Sequence, residues 1–210
     1  MQQWWQRKFV LGAGLIGAII LMLESVIATF VWPTYKLAKY PLAVLTAPDA
    51  MYASGFHGLE LVAGLLILLT LVAVWRFSRY EQDKTLSAAM QQLLIVWLAA
   101  VILQLVWPLN SITEAVLARG VIVRDVVFGG LVIVLIWSLW RVAIASVRRE
   151  MDSLANGLKL LTILFGLFHV LQFVVPLLGW PLAGFFDVLA LDVLATGFGL
   201  MSWYFMRLAD

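Results

Sequence analysis

Phe30-Val31-Trp32-Pro33 closes an apolar run that begins at Phe9, and the reading of that run decides the fold. The 24 residues from Phe9 to Trp32 exceed the roughly 20 that a helix needs to cross a hydrocarbon layer about 30 Å thick. They also exceed the core of a signal peptide, about 7–15 residues, although Arg7-Lys8 precede the run as they would in one. No convincing small-x-small cleavage site follows, so the run reads as an uncleaved first transmembrane helix. Pro33 lacks a backbone donor and ends it. The same boundary recurs at Leu105-Val106-Trp107-Pro108, and Val174-Val175-Pro176 echoes it without the tryptophan.

Composition extends the membrane reading to the whole chain. Apolar residues make up 64% and charged residues 12% of the 210 residues, and mean hydropathy is +1.01. Soluble domains carry roughly 45–50% apolar and 25% charged residues. A net charge of +2 gives no basic stripe for nucleic acid, and with no cysteine there are no disulfides, thiolate metal sites or cysteine nucleophiles.

Apolar windows predict six spans, at about 9–32, 58–75, 88–107, 121–140, 158–178 and 184–205, in one all-α domain over residues 1–210. The three proline-ended runs make these three helical hairpins, each going out on an odd helix and returning on an even one. Lys and Arg set the orientation. Arg7, Lys8, Arg76, Arg79, Lys84, Arg141, Arg148, Arg149, Lys159 and Arg207 fall on one side, and only Lys36, Lys39, Arg119 and Arg124 on the other. Both termini are therefore expected in the cytoplasm, in a multi-pass protein of the plasma (inner) membrane. Trp32, Trp107 and Trp180 would mark the outer interface, and Trp4, Trp5, Trp75, Trp140 and Trp203 the inner one.

Two stretches invite a functional reading. Gly12-Ala13-Gly14-Leu15-Ile16-Gly17 matches a dinucleotide fingerprint in form, but it lies inside a span with no preceding strand, so close helix packing is expected. The connection 33–57, with Pro33, Pro41 and Pro48, is expected to fold back over the helix ends as a lid or partly re-entrant piece.

Ionisable residues inside the spans are few, and each costs roughly 2.5–3.5 kcal/mol near mid-membrane unless it finds a partner, a water or a proton. They are Glu24, Glu60, His169, Asp187 and Asp192, with His57 and Asp125 at the rim. At about 1.5 Å per residue, Glu24 lies about 12 Å below Trp32, and His169 and Asp192 lie about 10 Å below Pro176 and Phe185. Three helices thus bring titratable groups to one level in the outer half. Gln172 lies one turn from His169, Thr196 one turn from Asp192, Glu60 one turn from His57, and Gln104 one turn below Pro108.

Glu24, Glu60, His169, Gln172, Asp187 and Asp192 are accordingly the candidate ligand-binding residues, with Glu24 and Asp192 as acceptors. A metal site would have to draw on His57, Glu60, His169 and Asp187, a minimal set. A haem would need His57 and His169, which sit at different depths. No serine-nucleophile motif is present, and no cofactor is expected.

Pro33-Thr34-Tyr35, Tyr40-Pro41, Leu45-x-x-Pro48, Tyr52, Phe56 and Gly58-Leu59-x-x-x-Ala63-Gly64-Leu65-Leu66 resemble the first loop and second helix of the six-helix bacterial membrane proteins grouped as domain of unknown function family 998. The resemblance continues through Trp107-Pro108-Leu109-Asn110, Arg124-Asp125 and Gly184-Phe185-Phe186-Asp187. It implies six helices and a plasma-membrane location, and supplies no reaction or catalytic residue. Arg124-Asp125 stands where the family often has a histidine, and Asp187-Val188 where it has an acidic-basic pair, so no ionic site is carried over.

The sequence therefore favours a non-enzymatic protein that binds or transports a small hydrophobic or cationic ligand, or a lipid, in a polar pocket in the outer half between helices 1, 2, 5 and 6. One alternative is a structural subunit packing on a membrane-protein partner or a second copy through Gly12, Gly17, Gly197 and Gly199. The other is an intramembrane metal-dependent hydrolase.

Overall fold

The computed structural model describes residues 3–109, 111–112 and 122–209. Asn110, Arg119 and the first residue of the fourth expected span lie outside them. Among the described residues there are six long helices and no strand: α1 (Lys8–Val31), α2 (Ala53–Tyr80), α3 (Lys84–Val106), α4 (Ile122–Val147), α5 (Asp152–Leu177) and α6 (Ala183–Leu208). All six are long and apolar enough to cross a membrane. α2, α4 and α6 run on past their apolar windows, α2 through Arg76, Arg79 and Tyr80. An apolar window measures the hydrocarbon layer, whereas helical hydrogen bonding continues into the polar margin for as long as the side chains permit it.

Two of the three proline boundaries end helices as expected, with Trp32 and Trp107 as C-caps donating to Ala28 and Leu103 carbonyls. The third does not. Pro176 lies within α5, which ends at Leu177, and the turn closes at Gly179 with φ +85°. The N–H groups of Gly179 and Trp180 donate to Pro176 O and Val175 O, at 3.0 and 3.4 Å. A proline in the last turn still offers its carbonyl, so a left-handed glycine further on completes the stop.

Each helix packs against its neighbours in sequence, and α6 returns to α1. The three hairpins thus join into a ring. One end carries residues 32–52, and is called here the loop end; the other carries Tyr80–Asp83 and Arg148–Met151, where Arg149 Nε pairs with Asp83 at 2.8 Å. The ring is solid toward this second end. Leu71, Leu86, Met90, Leu93, Leu154, Leu158, Phe198, Met201 and Phe205 are all buried there.

Close approach of the helices follows from small residues and hydroxyls, since lipid supplies no hydrophobic drive between helices. A Cβ on Gly17 would stand 2.7 Å from Ala63 O, and one on Gly14 2.9 Å from Thr70 Oγ1. The glycine fingerprint of α1 is therefore a packing face. Thr70 Oγ1 accepts from Gly14 N at 2.7 Å and lies 3.0 Å from Val10 O, its acceptor. From the other side, Ser202 Oγ accepts from Leu15 N at 3.0 Å and donates to Leu11 O. Two hydroxyls, one from α2 and one from α6, thus bind the backbone of α1 in a single turn. Gly12 faces Met206 and Gly199 faces Leu15 and Ala18. Gly12, Gly17 and Gly199, which one alternative assigns to a partner, thus each meet a neighbouring helix of this chain, the close packing expected of helix 1.

Candidate functional site

At the loop end the helices part around a cavity of about 710 Å³. All six contribute to its wall: Leu21 and Glu24 from α1, Glu60 and Gly64 from α2, Trp97 and Gln104 from α3, Arg124, Asp125 and Phe128 from α4, Phe165, His169 and Gln172 from α5, and Asp187 and Leu191 from α6. Trp97 helps form the floor; its indole N–H donates to Gly64 O at 3.0 Å and its ring packs on Phe198 with centroids 4.6 Å apart. A cavity is thus present at the loop end, and α3 and α4 share its wall with the four helices expected to form the pocket.

The roof is the segment after α1. Tyr35, Leu42, Val44, Leu45 and Ala47 are buried, and Leu42–Thr46 forms a short 3-10 helix against α2 and α6. It is a packed lid, not a free loop. Phe185 N donates to Ala38 O at 3.2 Å, and a Cβ on Gly184 would stand 2.3 Å from both Leu37 O and Tyr40 O. Only glycine lets α6 begin so close to the lid. Asp187 Oδ2 accepts from Leu42 N at 2.7 Å. The first N–H groups of a helix have no internal acceptor, so a carboxylate from α6 does across space what a capping side chain does in sequence.

Tyr35 donates to Tyr40 O at 3.2 Å and stacks on Trp32. Burial, and then the charges of Asp187 and Glu24, push its phenol up from the ordinary value of 10.0. It remains a neutral donor at any physiological pH.

Five of the six candidate ligand residues line the cavity: Glu24, Glu60, His169, Gln172 and Asp187. Asp192 does not. Five residues past Asp187 on a helix, it is turned about 140° around the axis; matching depth had left that angle out. Thr196 does not bond its carboxylate either, but donates to the Asp192 backbone carbonyl at 2.7 Å. His57 also lies off the cavity wall. Among the described residues no three His, Asp or Glu side chains gather as a metal site, so the set His57, Glu60, His169 and Asp187 is not assembled.

Glu60 Oε1 accepts from Gln104 Nε2 at 3.0 Å, which uses the amide noted below Pro108. Gln172 Nε2 lies 2.8 Å from His169 Nδ1; with the amide as donor, the ring proton sits on Nε2. Phe165 and Phe173 flank the imidazole.

Glu24 differs from every other buried polar group. Among the described residues it is the only buried acidic or basic side chain, at 1% exposure; the other buried polar side chains are serines and threonines, with the phenol of Tyr35. The hydroxyls of Ser138, Ser146 and Thr162 donate to carbonyls one turn back in their own helices. Glu24 Oε1 and Glu60 Oε2 are buried with no hydrogen-bond partner. An unmet buried acceptor costs about 1–3 kcal/mol. Glu60, Asp187 and Arg124 line the same cavity as Glu24.

Arg124 is the residue that sequence reasoning placed only at a helix opening. Its Nε donates to Trp107 O at 3.1 Å and its guanidinium lies 4.4 Å from the Phe128 ring centre. The signal available was its position one residue from Asp125 at the head of an otherwise apolar helix. Comparison with protein families, curated proteins and solved structures finds no match to this chain. The geometry alone carries the functional argument.

Proposed function

We propose that this polytopic membrane protein binds a small amphipathic ligand bearing an ammonium group, seated in the loop-end cavity with its charge on Glu24 and Glu60. The observation that carries the reading is the fully buried Glu24, whose Oε1 has no partner in a cavity large enough for a small molecule. Four acids, Glu24, Glu60, Asp125 and Asp187, line the cavity with two basic side chains, Lys39 and Arg124, an excess of acid that a proton or a cation must balance. The aromatic faces of Trp97, Phe128, Phe165 and Phe173 suit both an apolar body and an organic cation.

The distribution of Lys and Arg supports placing both termini in the cytoplasm, the cavity then opening to the outer side of a plasma membrane. The packed half beneath Trp97 favours a blind binding pocket over a through-channel, and movement of the ligand would require that half to open. The resemblance to domain of unknown function family 998 accords with the six helices and adds no substrate.

The test is thermal unfolding of the purified protein with a series of alkyl amines and their neutral alkyl alcohols. Amines should stabilise the wild type and alcohols should not. Glu24→Gln should weaken amine binding at least about tenfold, the value of a charge-assisted hydrogen bond. Equal stabilisation by the alcohols, or an unaltered amine response in Glu24→Gln, would refute the reading.

A further inference from the structure

The cavity wall carries cations as well as acids, and the two are held apart. Arg124 and Lys39 both line it. Arg124 is fixed by its bond to Trp107 O and by the Phe128 face, and Lys39 Nζ lies over the Tyr40 ring at 5.3 Å. Asp125, Glu60 and Asp187 are near enough for their charges to act on Arg124, yet among the described residues none of the three forms an ion pair with it within 4.0 Å. The hydrogen bonds of Glu60 and Asp187 go elsewhere, to Gln104 and to Leu42 N. A buried acid and a neighbouring arginine ordinarily close on each other, because unpaired charge is costly out of water. Here Glu60, Asp187 and Arg124 are anchored separately, and all three line one cavity.

We propose that the ligand is a zwitterion: an ammonium group on the Glu24–Glu60 side, and a phosphate or carboxylate a few bonds away on Arg124, with Lys39 at the mouth. This rests on the binding function proposed above and adds a second subsite to it. Guanidinium is suited to an oxyanion because its planar fork donates two parallel hydrogen bonds. One donor of that fork is already spent on Trp107 O, which fixes the direction of the others. The same chemistry is offered by a zwitterionic lipid headgroup and by a free zwitterion, and an attached chain separates the two sources.

The sign of the Arg124 effect distinguishes a zwitterion from a simple cation. For a simple cation, Arg124 is a like charge, and removing it tightens binding; for a zwitterion, removing it loosens binding. Thermal unfolding and direct titration would be run on wild type, Arg124→Gln and Arg124→Lys in neutral detergent. The probes are a single-chain alkyl phosphoethanolamine, the matching alkyl ammonium, the matching alkyl phosphate, and phosphoethanolamine without a chain.

We expect the alkyl phosphoethanolamine to bind tightest. Arg124→Gln should weaken it about tenfold while leaving the alkyl ammonium unchanged or tighter, and Arg124→Lys should restore most of the loss. Binding of free phosphoethanolamine as strong as that of the alkyl form would assign a soluble zwitterion; binding only with the chain would assign a lipid headgroup. If the alkyl ammonium binds as tightly as the zwitterion and Arg124→Gln improves it, the second subsite is wrong while the ammonium site stands. If no probe binds the wild type, both readings fail. Should Arg124→Gln not fold, the wild-type ranking carries the test: tighter binding of the alkyl phosphoethanolamine than of the alkyl ammonium supports the second subsite, and equal or tighter binding of the alkyl ammonium overturns it.

Discussion

The carboxylate of Asp187, near the start of α6, accepts the amide hydrogen of Leu42 at 2.7 Å, so a helix more than a hundred residues away caps the lid over the cavity. The same side chain lines the cavity it helps to cover. Architecture and site therefore meet in one residue. Asp187→Ala should free the first turn of the lid and cost about 1 kcal/mol, the usual worth of a cap. Asp187→Asn, which keeps an acceptor oxygen, should lose less. Hydrogen exchange at the Leu42 amide, much faster in the alanine variant than in the asparagine one, is the check.

Gly184 tests how tightly the lid is seated. With Leu37 O and Tyr40 O each 2.3 Å from where a Cβ would sit, Gly184→Ala must push backbone apart and should cost about 1–3 kcal/mol. Gly179→Ala meets no neighbour but imposes a left-handed φ, and should cost about 1–2 kcal/mol. Gly130→Ala, in open space within α4, should be neutral or stabilising by about 0.5–1 kcal/mol. Unfolding midpoints of the three variants should rank in that order.

Thr70→Val and Ser202→Ala each remove a hydroxyl that bonds the backbone of α1. Interhelical hydrogen bonds in membranes average about 0.6 kcal/mol, and either variant should lose about that much. Because the two hydroxyls act on adjacent residues of one turn, the double variant should lose more than the sum. A double-mutant cycle on unfolding free energies that came out strictly additive would remove the idea of a shared turn.

The absence of native cysteine makes the orientation directly measurable. Lys36→Cys and Glu81→Cys place single thiols at exposed sites near opposite ends of the ring. In intact cells an impermeant thiol reagent should label the first and not the second. The reverse pattern would invert the orientation drawn from Lys and Arg.

Much of the fold was legible because membrane-spanning helices are written in length and hydropathy, two properties that survive without tertiary context. Trp32 and Trp107 end their helices where Pro33 and Pro108 said they would. Pro176 lies one residue before the end of its helix at Leu177, within a residue of the expected boundary near 178, and the left-handed Gly179 completes the turn. Depth grouped Glu24 with His169, which line one cavity, and with Asp192, which does not line it, since residue spacing gives height directly while azimuth depends on how each helix is rotated against its neighbours. The ring closure of α6 on α1, the two hydroxyls that bind α1, and the inward placement of Arg124 are all products of helix rotation. Sequence spacing within a single helix does not carry them.

The most direct test is a side-chain-resolution density map of the protein extracted from its own membrane into lipid nanodiscs. The account predicts non-protein density in the cavity, in contact with Glu24 on one side and Arg124 on the other, and its loss in Glu24→Gln. A cavity filled by the protein's own side chains, with Glu24 Oε1 bonded to one of them, would contradict it.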